Sequence, residues 1–264
     1  MPARERWSSA TSPAKLAQGA VHVWAVRLDR SSSQVDDLRD TLSGDELDRA
    51  SRFYFDRDRR RFVCARGALR QILGAYLEVD PADLSFSYGL HGKPALSRAE
   101  AGALSFNVSH SSELALMAVA PADIELGVDV EEVRAMPDRD DIARQCFAPS
   151  EIARLQALPV TMREDAFYRC WTRKEAYLKA LGDGLAKPLD SFDVSFGVDE
   201  PVELRVVGDR RESERWTLVA LDPGPGFAAA LVATRGIRKV ECRSWTETYP
   251  RVADAVTSGA GKAL

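Results

Sequence analysis

This 264-residue chain repeats one order of predicted elements: a strand, then helices, then further strands. That repeat limits the possible folds more than any other feature of the sequence. Helical periodicity and short alternating or apolar runs define the elements. The first round has a strand at 20–26, helices at 42–54 and 59–77, and extended segments at 84–88, 103–111 and 113–120, and the second has a strand at 124–133, helices at 140–147, 150–158 and 164–181, and strands at 191–196, 202–207, 216–221 and 227–233. The sequence therefore predicts an α+β fold of two similar α/β halves, with the active site between them.

Composition along the chain predicts four segments. Residues 1–19 are Ser, Ala, Pro and charged residues without periodicity, which is typical of a flexible N-terminal leader. The N-terminal α/β half is expected at 20–122 and the C-terminal α/β half at 123–244. The remainder, 245–264, is expected to be a loosely ordered tail because it is short of apolar residues and ends in SGAGKAL.

Composition also excludes several classes of protein. The net charge is −4, which does not favour nucleic-acid binding. No apolar run approaches the roughly 18 residues that a membrane span requires, and the N-terminus lacks the apolar core of a secretion signal. We therefore expect a cytoplasmic monomer without a membrane partner. The four cysteines are too scattered for a zinc motif or a disulfide framework, so reduced core thiols are expected.

The segment from 49 to 70 is a local basic region inside an acidic protein. Its arginines, set against Asp56 and Asp58, are Arg49, Arg52, Arg57, Arg59, Arg60, Arg61, Arg66 and Arg70. Such a field could attract an anionic ligand or partner. Arg59, Arg66 and Arg70 fall off the apolar stripe of their helix, so each is either part of a solvated face or a contact to that anion.

Two carboxylates lie close together on the strand predicted at 124–133. Alternation sends Asp129 and Glu131 to one face while Val128 and Val130 go to the other. Same-face positions are about 6.5 Å apart, so both side chains can lean toward one Mg²⁺ ion. The alternative is an edge strand with a polar outer face.

The helix predicted at 164–181 carries a polar ridge. Trp171, Glu175 and Lys179 follow one another at intervals of four residues, so they share one face. By spacing alone, Glu175 and Lys179 could be an ordinary surface ion pair worth about 0.2–0.5 kcal/mol. No phosphate-binding glycine loop or nucleophile elbow is present. Ser109 and His110 are adjacent on an extended segment and point to opposite faces, so they cannot form a nucleophile and base pair.

Four short motifs occur in order: GKP at 92–94, FNVSHS at 106–111, GVDVE at 127–131 and WTRKEAYLK at 171–179. Together they resemble the signature of the 4′-phosphopantetheinyl transferases of the larger, Sfp-type class. RFYFDRDRRRFVCARGALR at 52–70 also resembles the first conserved helical region of that family. The similarity extends over about residues 42–196.

This resemblance implies that coenzyme A is the substrate and lies between the halves. A serine of an apo acyl or peptidyl carrier protein would attack the pantetheine-side phosphorus and release adenosine 3′,5′-bisphosphate. Asp129, Glu131 and Glu175 would hold Mg²⁺ and the pyrophosphate, and Glu175 or a carboxylate-bound water would take the serine proton. A site of this kind should also accept Mn²⁺. The residues implied to contact coenzyme A are Lys179 at a phosphate, and Arg61, Lys93, Ser109 and His110 at the nucleotide.

Two acidic residues stand apart from this pattern. Some relatives have a lysine where this sequence has Glu46, and Arg49 could supply the missing charge. Glu151 matches a further acidic position of the family.

Two other functions stay open. One is a coenzyme A-binding or carrier-binding module without catalysis, in which the set of acidic residues would be incomplete. The other is a metal-dependent phosphohydrolase, which would release free phosphopantetheine without a carrier. Carriers of fatty-acid, polyketide and peptide synthesis are all compatible with the sequence.

Overall fold

The computed structural model describes residues 7–10, 15–89, 94–97, 102–182 and 187–246. The described elements up to residue 121 are β1 (Ser8–Ala10), β2 (Ala20–Arg27), α1 (Ser32–Arg39), α2 (Gly44–Ser51), α3 (Asp56–Leu77), β3 (Phe86–Tyr88), β4 (Pro94–Leu96), β5 (Leu104–Ser111) and β6 (Leu114–Pro121). Those that follow are β7 (Leu126–Glu132), α4 (Arg139–Cys146), α5 (Pro149–Ala157), α6 (Val160–Leu181), β8 (Phe192–Val194), β9 (Leu204–Val206), α7 (Arg210–Arg215), β10 (Trp216–Leu221), β11 (Phe227–Thr234) and β12 (Lys239–Trp245). None of the described helices is long and apolar enough to cross a bilayer.

The two halves repeat one topology. Strands β2, β6 and β5 form an antiparallel order in the first half, and β7, β11 and β10 form the same order in the second. Each half also has a 22-residue helix, α3 or α6, followed by a pair of short antiparallel strands, β3–β4 or β8–β9. The predicted α+β fold of two similar halves is confirmed.

The last strand, β12, breaks the symmetry of the two halves. It pairs in parallel with β2, so a segment of the second half completes the sheet of the first. Strand β1 pairs in parallel with the other edge of β12. Ser8–Ala10 therefore departs from the flexible leader expected at 1–19, because it satisfies backbone groups that β12 would otherwise leave unpaired. Of the expected loose tail, only Trp245 and Thr246 are described, and Trp245 is a buried end of β12.

The two sheets pack face to face with helices on their outer sides. Buried apolar side chains of β2, β6, β7 and β11 form the layer between the sheets, and Val128 and Val130 belong to it. Separate clusters pack around α3 in the first half and around α6 in the second. The strand alternation predicted at 124–133 therefore directs Asp129 and Glu131 away from the shared layer. The four cysteines all lie in described segments, and none of them forms a disulfide, as predicted.

Helix boundaries follow local signals only in part: α3 and α6 begin earlier than expected, at Asp56 and Val160, and α1 and α7 lie where no helix is expected. α6 ends at Leu181, and Gly182 adopts a left-handed conformation (φ 77°) at its C-cap, as the sequence predicts. The helix expected at 150–158 begins one residue earlier, because α5 begins at Pro149 and Ala148, not Ser150, is its N-cap. Proline suits the first helical position because it lacks the amide hydrogen that would otherwise be unpaired there.

A buried ion pair joins α2 to α3 in the first half. The Glu46 carboxylate accepts the backbone amide of Ser43 (3.0 Å) at the start of α2 and the Arg70 Nε of α3 (2.6 Å). Arg70 also donates to the carbonyls of Pro81 and Leu84 at 2.8 and 2.9 Å. Both side chains of the pair are 1% exposed, so Arg70 cannot be part of a solvated helix face or a ligand contact.

The second half contains a matching pair. The Glu151 carboxylate accepts the amide of Ala148 (2.8 Å) at the start of α5 and pairs with Lys174 of α6 (2.7 Å). Lys174 donates to the carbonyls of Leu189 and Phe192 at 2.8 and 2.6 Å. Burial raises the pKa of the Glu151 carboxyl, with Lys174 opposing that shift.

These two pairs lie at equivalent places in the fold. Arg70 lies as far along α3, counted from its first residue, as Lys174 lies along α6. In each half the carboxylate comes from the preceding short helix, and the carbonyls come from the segment that leads into the next strand, up to its first residue in the second half. Glu46 and Glu151 therefore have equivalent structural roles, since each caps a short helix and pairs with a buried cation of the long helix. This explains the two acidic residues that the motif comparison left without a role.

Candidate active site

Strand β7 lies directly on the backbone of α6 at Gly127. A Cβ atom built on Gly127 would overlap the Ala176 carbonyl oxygen and the Ala180 amide nitrogen, and would lie 2.8 Å from the Lys179 carbonyl carbon. A residue with a side chain cannot occupy this place without moving the strand. Gly127 therefore sets the distance between the carboxylates of β7 and the polar ridge of α6. The sequence signal for this role is a glycine inside a strand pattern, which marks close backbone approach.

Asp129 is the most buried polar group of the region, with 3% exposure. Its Oδ1 accepts Lys179 Nζ (2.6 Å) and Ser109 Oγ (2.8 Å). Its Oδ2 is buried and has no hydrogen-bond partner in the described structure. Burial raises the pKa of Asp129, and Lys179 and Ser109 act against that rise. The unpartnered Oδ2 is the kind of atom that a cation would satisfy.

Two further carboxylates share this region. Glu131 Oε2 accepts the Ser111 hydroxyl at 2.7 Å. Burial raises the pKa of both Glu131 and Glu175, and the negative charge of Asp129 adds to the rise in each case. Three carboxylates that disfavour one another's ionisation form a site whose charge a divalent cation would balance.

Asp129, Glu131 and Glu175 fit Mg²⁺ by donor chemistry, since all three offer hard carboxylate oxygens. The unpartnered Asp129 Oδ2 supports the same conclusion. Within the described ranges, no three His, Cys, Asp or Glu side chains already stand in ligand geometry around one point. In this arrangement Lys179 supplies the positive charge that Asp129 contacts.

A basic cleft with a volume of about 640 Å³ lies beside this carboxylate group, between α3, β5 and the end of β7. Ser111 and Glu132 line it, so the cleft reaches the carboxylate strand. Asp58 is its other acidic lining residue. The cationic or titratable lining residues are Arg49, Arg57, Arg61, Arg66, Arg134 and His110. This excess of arginine suits a ligand that carries several phosphates.

The residues predicted to contact the nucleotide divide between two faces. Arg61 and His110 line the cleft. The Arg61 guanidinium also pairs with Asp29 through two hydrogen bonds of 2.8 and 2.9 Å, which raise the pKa of Arg61. Burial, followed by the charge of Lys179, lowers the pKa of His110. Ser109 lies on the opposite face of β5 and contacts Asp129, and Lys93 lies outside the described residues.

The other arginines of the basic segment have different surroundings. Arg66 is 8% exposed and stacks over the Phe86 ring at 5.2 Å, so it is no solvated residue. Arg49 lies over the Phe62 ring at 5.4 Å and lines the wall of the cleft. Its charge can therefore face a ligand in the cleft, whereas Glu46 is buried in its ion pair with Arg70. Arg59 pairs with Asp56 on the surface. Arg134 follows β7 and was not anticipated, since a single arginine after a strand carries no distinguishing pattern.

Comparison with known proteins identifies the chain. Residues 125–232 match the model of the 4′-phosphopantetheinyl transferase superfamily, and residues 29–122 match the model described as 4′-phosphopantetheinyl transferase, N-terminal. The 4′-phosphopantetheinyl transferase HetI of Nostoc sp. is 44% identical over 218 residues, which cover 82% of this chain and 88% of that protein. Sfp of Bacillus subtilis is 29% identical over 186 residues, which cover 70% and 80%. The chain belongs to the 4′-phosphopantetheinyl transferase family.

It is thus an enzyme that transfers the phosphopantetheine group to carrier proteins, as the sequence predicts. Membership of this family argues against both alternatives, the non-catalytic binding module and the unrelated phosphohydrolase.

Proposed function

We propose that Asp129, Glu131 and Glu175 bind Mg²⁺ and that the pyrophosphate of coenzyme A meets them at the mouth of the basic cleft. The single observation that carries this proposal is the buried Asp129 Oδ2, which has no hydrogen-bond partner in the described structure. When bound, the metal supplies positive charge that stabilises the phosphate oxygens during transfer. Glu131 accepts a hydrogen bond from Ser111, and Ser111 lines the cleft, so the carboxylate group and the cleft adjoin at this residue.

Lys179 and Glu175 have separate tasks in this proposal. Lys179 holds Asp129 in place and turns its ammonium toward a phosphate oxygen when the substrate is present. Glu175, on the same ridge of α6 and with a raised pKa, accepts the proton of the carrier serine. The serine oxygen bonds to the pantetheine-side phosphorus, the bond to the second phosphate breaks, and adenosine 3′,5′-bisphosphate leaves with the electron pair.

We place the nucleotide in the basic cleft. Arg61 and His110 are proposed to contact the 3′-phosphate together with Lys93, and Arg49 stands in for the lysine that Glu46 replaces. A phosphate dianion beside His110 would oppose the lowering of its pKa. Ser109 faces the carboxylates and contacts Asp129 instead of the nucleotide cleft.

The remaining parts of the assignment concern partners and organisation. We propose that the acceptors are apo acyl or peptidyl carrier proteins, that the chain acts as a cytoplasmic monomer, and that its halves divide at 122–123. Intact-mass analysis after incubation with coenzyme A, Mg²⁺ and a panel of apo-carriers tests the acceptors. Release of free phosphopantetheine in place of carrier modification would contradict this choice of acceptor and favour water.

Glu175→Gln is expected to lower the rate of carrier modification by about 10²–10⁴ because the amide cannot accept the serine proton. The measurement is intact-mass conversion of an apo-carrier across a Mg²⁺ titration. If Glu175 acts only as a base, the Mg²⁺ dependence stays that of the wild type; if it is also a ligand, the dependence shifts to higher Mg²⁺. Wild-type rates at every Mg²⁺ concentration would contradict both roles.

Removal of the 3′-phosphate from coenzyme A is expected to lower kcat/KM by about tenfold or more, since each charge-assisted hydrogen bond to that phosphate contributes about 1.5–3 kcal/mol. Dephospho-coenzyme A should show mainly a raised KM, because these contacts lie far from the reacting phosphorus. Arg61→Ala should bring the kcat/KM values of coenzyme A and dephospho-coenzyme A closer together, because it should lower the value for coenzyme A. Arg210→Ala, which removes an exposed arginine on α7, serves as control. Full discrimination in both Arg61→Ala and His110→Ala would place the phosphate elsewhere.

A further inference from the structure

The FNVSHS segment divides its side chains between two tasks. Val108 and His110 line the basic cleft. The alternate side chains reach β7: Asn107 Oδ1 accepts the amide of Val128 (3.0 Å), Ser109 Oγ accepts that of Val130 (3.4 Å) and Ser111 Oγ accepts that of Glu132 (3.1 Å). Ser111 also lines the cleft, at the end of the strand. These three side chains form a regular series along the strand, which we call the β5 ladder.

The β5 ladder takes the place of a neighbouring strand. β7 is the edge strand of the order β10-β11-β7, so the amides on its outer side have no strand partner among the described residues. Buried backbone amides need hydrogen-bond acceptors. Asn107, Ser109 and Ser111 supply them from the other half of the molecule, so at the edge of β7 the halves are joined by side chains rather than by strand pairing.

The two serines of the ladder each make a second hydrogen bond. Ser109 donates to Asp129 Oδ1 (2.8 Å), and Ser111 donates to Glu131 Oε2 (2.7 Å). Each hydroxyl thereby joins a carboxylate to the backbone amide of the residue that follows it. Lys179 Nζ adds a third contact to Ser109 Oγ (2.8 Å). Asn107 reaches the strand at Val128, which has no carboxylate to hold.

We propose that Ser109 and Ser111 are positioning residues, by which the first half orients the two metal-binding carboxylates of the second half. This proposal rests on the metal assignment above. Each hydroxyl fixes the rotamer of its carboxylate by holding one oxygen, so the other oxygen faces the cation. Hydrogen-bond partners of metal ligands usually affect metal affinity directly. Substrate contacts at the cleft are a separate task of the same strand.

The test measures metal affinity rather than turnover alone. Mn²⁺ is titrated into the full-length protein with coenzyme A bound and no carrier, and free Mn²⁺ is followed by electron paramagnetic resonance. Ser109→Ala and Ser111→Ala are each expected to weaken Mn²⁺ binding by about tenfold or more. The KM for coenzyme A at saturating Mn²⁺ should change less than the Mn²⁺ affinity does, since the arginines of the basic cleft are unchanged.

Two sets of controls separate positioning from general destabilisation. Ser105→Ala makes the same change on the same face of β5, at a residue with no hydrogen bond to β7 in the described structure, and should bind Mn²⁺ as the wild type does. Ser111→Thr keeps the hydroxyl and should retain affinity, whereas Ser111→Val matches threonine in shape but lacks the hydroxyl and should lose affinity. If Ser109→Ala does not fold, the Ser111 pair decides.

The possible outcomes test the positioning role of the serines separately from the metal assignment. Mn²⁺ affinity that is equal in Ser105→Ala, Ser109→Ala and Ser111→Ala, or equal in Ser111→Thr and Ser111→Val, overturns the positioning role while leaving the metal assignment intact. Wild-type protein that modifies carriers yet binds no Mn²⁺ in this titration overturns the metal assignment itself.

Discussion

Asp129→Asn is expected to remove nearly all phosphopantetheine transfer, with a loss of about 10³-fold or more in kcat/KM. The amide keeps the shape of the side chain and can still accept from Ser109 and Lys179, but it cannot bring a negative charge to the metal. Metal-ion stabilisation of a phosphoryl oxygen contributes several kcal/mol, and about 1.4 kcal/mol corresponds to a tenfold change in rate. The measurement is carrier modification at saturating Mg²⁺, read by intact mass.

Two comparisons make this result specific. Chelation of the metal should reduce wild-type turnover to a similar extent, and either Mg²⁺ or Mn²⁺ should restore it, whereas neither ion should rescue Asp129→Asn. Asp37→Asn removes an exposed carboxylate from α1 and should behave as the wild type. Near-wild-type turnover of Asp129→Asn would show that the carboxylates of β7 do not bind the catalytic metal.

Gly127→Ala is expected to destabilise the folded protein by about 3 kcal/mol or more, at the upper end of what overpacking costs. The three atoms nearest to its Cβ would all be backbone atoms of α6, at Ala176, Lys179 and Ala180, so the overlap is not relieved by moving a flexible side chain. β7 must then shift as a unit, and Asp129 moves away from Lys179. Urea denaturation measures the loss of stability, and carrier modification measures the loss of activity.

Gly44→Ala is the matched control for that substitution. A Cβ on Gly44 meets no atom within 4 Å, and alanine suits the helix that this residue begins. Its free energy of unfolding should equal or slightly exceed that of the wild type. A Gly127→Ala protein as stable as Gly44→Ala would mean that β7 and α6 are not in direct backbone contact.

Features that depend on neighbours in the sequence were predictable. Alternation placed Asp129 and Glu131 on one face and Val128 and Val130 in the core because the period of a strand is fixed by its backbone. Gly182 ended α6 for a similarly local reason. The capping function of Glu46 also follows from its place in a capping box with Ser43.

Features that depend on distant pairing were not predictable in the same way. Glu46 pairs with Arg70 on the following helix, and periodicity placed Arg70 off the apolar stripe although it is buried. β12 escaped notice because charged residues interrupt its apolar pattern, and its place in the first sheet depends on β2. In the site, alternation separates Ser109 from His110 but does not indicate that Ser109 faces Asp129.

The parallel pairing of β12 with β2 has a consequence for synthesis of the chain. Ala20–Arg27 leaves the ribosome early, yet its sheet partner, Lys239–Trp245, is made only after every other described strand. Until then one edge of β2 lacks that partner, and an exposed strand edge can pair with other chains. The first half therefore cannot complete its sheet as an independent folding unit during translation. One returning strand thus obliges two halves of the same topology to mature together.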